Sequence, residues 1–148
     1  MTGSLYLVPV PISDADPRLE LAPRLVQVLE AVRDYIVEDQ RSAKRFLSGL
    51  IDQKAIDESG FALLNKKSPE LELSGLLEPL RAGKDVALMS EAGSPCVADP
   101  GAVLVELAHR EGIRVVALPG PSAILMALMA SGLGRSEEHT SELQSPNT

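Results

Sequence analysis

The sequence predicts an α/β fold, a five-stranded parallel sheet flanked by helices. Three observations carry this. Five short apolar runs recur along the 148 residues, and their lack of polar alternation marks strands covered on both faces. Segments with apolar residues at helical spacing lie between them, and strands that alternate with helices build parallel sheets with right-handed crossovers. The runs give way to loops rich in Pro, Gly, Ser, Asp and Asn, which stop strands.

Ser4 to Val10 is the first strand, and Pro9 and Pro11 with Ser13, Asp14 and Asp16 end it in a rigid polar loop. A helix follows with Leu21, Leu25, Val28, Leu29 and Val32 on one face. Tyr35–Val37 is the second strand. Glu38, Asp39, Gln40 and Arg41 stand at its carboxyl end, before a helix carrying Phe46, Leu47 and Leu50. Phe61–Leu64 is the third strand, and Leu73, Leu76, Leu77 and Leu80 mark one amphipathic helix ended by Gly83. Val86–Met89 is an interior strand. Val103, Leu104, Leu107 and Ala108 give the next helix its apolar face, Gly112 closes it, and Ile113–Leu118 is the fifth strand. The segment Ala123–Ala130 is apolar on every side, so as a helix it needs cover all round.

Composition narrows the function. Hydrophobic residues make up 45% of the chain, so it can build a core. Aromatics are 3% and the net charge is -7, which argues against stacking platforms and against broad phosphate binding. A lone cysteine, Cys96, rules out an intrachain disulfide framework and suits a reducing, cytoplasmic setting. With two histidines, zinc or Cys-His chemistry has little support, and no GxxxxGK[ST] or GxGxxG string occurs. No secretory leader pattern and no membrane-length apolar run is present.

The chain is organised around Val86–Gly101, VALMSEAGSPCVADPG. A buried strand breaks into a loop of small residues. Asp99 and Pro100 then supply a helix cap and a first helical residue. Ligands of open α/β sheets bind beyond the carboxyl ends of strands. A loop there with backbone N–H donors and one carboxylate suits a polar ligand, although strand-to-helix connections of this kind are commonly structural.

Four stretches in this order resemble the tetrapyrrole methylase superfamily of S-adenosylmethionine-dependent methyltransferases. They are LYLVPVPI at Leu5–Ile12, VEDQR at Val37–Arg41, SEAGSPCVADPG at Ser90–Gly101 and VVALPGPSA at Val115–Ala123. The likeness is greatest to the ribosomal RNA small-subunit methyltransferase I branch. Three departures stand out: Ser13-Asp14 replaces a Gly-Asn pair, Glu91 and Gln40 replace the usual Asp and Thr, and Asn65-Lys66-Lys67 replaces a His-Asn-Glu loop.

The resemblance implies an N-terminal methyltransferase domain over residues 1–118 and the start of a second domain over 119–134. It implies S-adenosyl-L-methionine as cofactor, bound by Pro9, Pro11, Ser90, Glu91, Ala92, Gly93, Ser94, Pro95, Pro121, Ser122 and Ala123. Gly93 permits close backbone approach, Ser90 and Ser94 offer hydroxyls, and Ser122 and Ala123 would line the opposite wall. Asp39 and Arg41 either bind substrate or pair with each other. No metal site is expected.

The implied partner is small-subunit ribosomal RNA, methylated at a ribose 2′-oxygen, or else a tetrapyrrole methylated at carbon. A homodimer and no membrane association go with the family. A non-catalytic binding fragment is the reading of another class. Residues 135–148, RSEEHTSELQSPNT, have one large apolar residue and resemble a translated sequencing-library adapter. They are expected to be non-native, with the chain truncated near Gly134.

Overall fold

The computed structural model describes residues 1–10, 23–65, 69–89, 100–118 and 131–132. Five strands form one parallel sheet: β1 (Ser4–Val8), β2 (Asp34–Val37), β3 (Gly60–Leu63), β4 (Val86–Met89) and β5 (Arg114–Ala117). Their spatial order is β3-β2-β4-β1-β5. The helices are α1 (Pro23–Ala31), α2 (Gln40–Ser48), α3 (Gln53–Asp57), α4 (Glu70–Gly75), α5 (Glu78–Arg81) and α6 (Pro100–Arg110).

Both faces of the sheet are apolar because helices cover both. Leu5, Leu7, Ile36, Val86 and Leu88 pack with Leu73, Leu77 and Leu80 and with Leu104 and Ala108, the layer of α4 to α6. Val8, Tyr35, Val37, Ala87 and Met89 pack on the other side with Leu25, Leu29, Leu47 and Ile56, the layer of α1 to α3. Alternate residues of each strand thus enter opposite layers, as strand geometry requires. β4 is buried at all four positions. The buried Tyr35 hydroxyl donates to the Leu29 carbonyl at 3.1 Å, and burial pushes its pKa up to about 12.

The five strands stand where the sequence predicts them, within a residue at most ends except at β1, which stops two residues earlier, at Val8. Gly83 and Gly112 do close helices, at φ +91° and +73°. The helix expected over Leu73–Leu80 is instead two, α4 and α5. Pro79 lacks an N–H, and its ring would strike the carbonyl of Gly75 in a continuous helix. Leu104, Leu107 and Ala108 are buried as expected, but Val103 is 37% exposed while Val105 is fully buried and takes its place on the inner face of α6. α3 had no sequence signal, since a five-residue helix is too short for a period. Leu21, Asp99 and the segment Ala123–Ala130 lie outside the described residues.

Candidate functional site

The path of the chain through the sheet creates the site. From β1 to β2 to β3 the chain steps one way and lays α1 to α3 on one face. From β3 to β4 to β5 it steps back and lays α4 to α6 on the other. Right-handed crossovers require this change of face when the direction reverses. β4 lies between β2 and β1. Its onward connection therefore leaves toward one layer while those of both neighbours leave toward the other. A crevice at such a switch point is where α/β sheets take ligands.

The register brings the strand ends level. Val8 pairs with Met89 and Met89 with Val37. Directly beyond them opens a small, open cleft lined by Val10, Val37, Glu38, Asp39, Ser42, Ala43 and Met89. Val37 and Met89 are almost fully buried and form an apolar base. The polar groups come from the β2–α2 junction. Pro9 is buried beside Val10 at the end of β1.

Asp39 begins α2 as its cap. Its carboxylate accepts from the backbone N–H of Arg41 at 3.3 Å and of Ser42 at 3.4 Å, and from the Ser42 hydroxyl at 2.6 Å. That hydroxyl, foremost, holds the Asp39 carboxyl below the usual carboxylate range; the two N–H groups and the Arg41 charge act in the same direction. Asp39 is thus a fixed anion at neutral pH and a poor proton acceptor. It meets Arg41 through the backbone N–H, not through the guanidinium, so of the two alternatives for these residues the side-chain pair does not form. Arg41 is exposed on the first turn and is not among the residues lining the cleft. Ser42 escaped the sequence reading. The Asp39-x-x-Ser42 spacing, an N-cap acid with a hydroxyl three positions on, was the signal for it.

Of the residues the resemblance assigns to the cofactor, Pro9 is described. Pro11, Ser90, Glu91, Ala92, Gly93, Ser94, Pro95, Pro121, Ser122 and Ala123 lie outside the described residues. Among the described residues no group of three or more His, Cys, Asp or Glu side chains could hold a metal ion. None of their helices is long and apolar enough to cross a membrane.

The profile of the Tetrapyrrole (Corrin/Porphyrin) Methylases matches residues 4–147. The chain belongs to this family. Among the similar tetrapyrrole methylase family proteins is ribosomal RNA small subunit methyltransferase I of Escherichia coli O157:H7, 37% identical over 131 residues, covering 88% of this chain and 43% of that one. The protein of the same name from Pseudomonas aeruginosa is also 37% identical, covering 88% of this chain and 44% of its own. The chain thus spans less than half the length of these relatives. A solved methylase, uroporphyrin-III C-methyltransferase from Thermus thermophilus, superposes with a TM-score of 0.52 at 25% identity, covering 90% of this chain and 54% of that one.

Proposed function

We propose that the chain is the cofactor-side domain, residues 1–118, of an S-adenosylmethionine-dependent methyltransferase acting on small-subunit ribosomal RNA at a ribose 2′-oxygen. One observation carries the reading: the switch-point cleft at the level ends of β1, β2 and β4, in a chain 37% identical to relatives named as ribosomal RNA small subunit methyltransferases. The groups around the cleft suit the cofactor. An apolar base of Val37 and Met89 fits an aromatic or thioether surface, and a rim of Ser42 and Asp39 fits polar edges.

The cofactor supplies a methyl group activated on a sulfonium. The chain's part is to hold and align, since in-line displacement depends chiefly on positioning. In this reading Pro9 and Pro11 shape one side and Ser90–Pro95 gives N–H groups and hydroxyls. Pro121, Ser122 and Ala123, at the opening of a second domain over residues 119–134, face them. Asp39 keeps the first turn of α2 fixed, and Arg41, exposed beside it, meets the substrate. The assembled enzyme is a cytoplasmic homodimer in this reading. Residues 135–148 take no part.

The test is labelled methyl transfer by the full-length protein, with small ribosomal subunits and, separately, a precorrin as acceptor. Label in the ribosomal RNA alone supports the reading. Label in the tetrapyrrole alone overturns it in favour of carbon methylation, the reading that the likeness to the uroporphyrin-III enzyme favours. For the cofactor loop, Gly93→Val should weaken S-adenosylmethionine binding at least tenfold, about 1.4 kcal/mol, by calorimetry. Unchanged affinity in a folded variant would remove that loop from the site.

A further inference from the structure

We infer that the outer face of α2 is the surface on which the RNA strand lies as it reaches the cleft. This rests on the RNA reading above. The nine residues of α2 include Arg41, Lys44 and Arg45 and no acid. All three cations are exposed, and their spacing of three and four residues puts them on one helix face. Ala43 and Leu47 turn inward to the core.

The cations are unlike the arginines of the opposite layer. Arg81 is held by Glu78 and Glu111, and Arg110 by Glu70 and Glu106. No described carboxylate forms an ion pair with Arg41, Lys44 or Arg45. Lys44 lies 5.4 Å above the Phe61 ring, itself stacked on Tyr35 at 5.1 Å. That holds the lysine in place without neutralising it. On a chain of net charge -7, this helix thus presents three exposed cations with no ion pair to a described carboxylate, only Arg41 feeling the charge of the Asp39 cap, and its first turn borders the cleft.

The three residues span about 6 Å of helix axis, enough to meet about two successive phosphates at the roughly 3.4 Å rise of a strand. A membrane is the weaker partner, because α2 itself exposes no large apolar side chain to insert between lipids.

The experiment compares the full-length protein with the triple variant Arg41→Gln, Lys44→Gln, Arg45→Gln and with the charge-preserving Arg41→Lys, Lys44→Arg, Arg45→Lys. Anisotropy with a labelled hairpin from small-subunit RNA is read across a salt series. Calorimetry with S-adenosylmethionine confirms that each variant is folded. The neutral variant should bind RNA about tenfold more weakly, with the salt slope shallower by about 1.5–2, and the charge-preserving one should bind as the parent does. Equal RNA affinity and slope in neutral variant and parent overturn this inference and leave the RNA reading standing. Equal loss in both variants also overturns it, since charge is then not the cause. Loss of binding to phosphatidylglycerol vesicles with RNA binding untouched assigns the face to lipid and overturns it. A parent that methylates tetrapyrrole and binds no RNA overturns both.

Discussion

At Gly3 the backbone leaves room for hydrogen alone. Its N–H donates to the Leu80 carbonyl at 2.8 Å, and a Cβ built there would overlap the Lys84 carbonyl. Backbone, unlike a side-chain tip, cannot swing away. Gly3→Ala should therefore cost about 3 kcal/mol and lower Tm by roughly 10 °C, read by calorimetry. A loss below about 0.5 kcal/mol would show that the β1 entrance relaxes. No sequence signal marks this glycine, because the contact joins residues 81 positions apart. Asp39 is the opposite case: its place beside a ligand cleft was legible from a polar cluster after an apolar run. Its capping role was legible too, in the spacing to Ser42, and went unread because Arg41 offered a more obvious partner.

Among elements, the short α4–α5 pair is held to the turn after α6 by Arg81. Its guanidinium meets both Glu111 oxygens at 2.6 and 2.7 Å, Glu78 at 2.7 Å, and Ser74. The Arg81 hydrogen bonds hold the Glu111 carboxyl below its usual range. A depressed carboxyl contributes stability that is complete above the unfolded value, near 4.3, and is lost as pH falls through the folded one. Glu111→Gln should thus cost about 0.5–1 kcal/mol at pH 7, as partly exposed pairs do. Its deficit relative to the parent should shrink below about pH 4 in urea titrations. A deficit constant from pH 7 to 2.5 would rule out the ion pair as its source. The break between these helices was readable in Gly75 and Pro79. The leucine period alone hid it, since Leu73, Leu77 and Leu80 keep facing the core across the break.

For the whole molecule, strand number and polarity were legible because each strand holds an apolar run without polar alternation. The order β3-β2-β4-β1-β5 was not, for the same reason: interchangeable apolar strands carry no label for their neighbours. The cleft follows from that order more than from any one side chain. The chain covers 43% of its E. coli relative, and in the proposed reading residues 1–148 carry only the start of the second wall, at Pro121, Ser122 and Ala123. Expressed by themselves, they should show at least a hundredfold weaker S-adenosylmethionine binding than the full-length protein, and no methyl transfer. Equal affinity in the two would place the whole binding site in this segment.

The seat of β4 between β1 and β2 also sets a timetable for synthesis. β1 and β2 share no hydrogen bonds; each pairs with β4. A nascent chain that has reached residue 83 can join β2 to β3, while β1 waits with both edges open. Sequence-distant pairing of this kind is slow and leaves apolar edges exposed to other chains. The sheet becomes continuous from β3 to β1 only when four residues, Val86–Met89, emerge and slot into the gap. Ribosome-stalled chains should therefore gain protease resistance in one step once this strand clears the exit tunnel, and a gradual gain from residue 65 onward would refute that timetable.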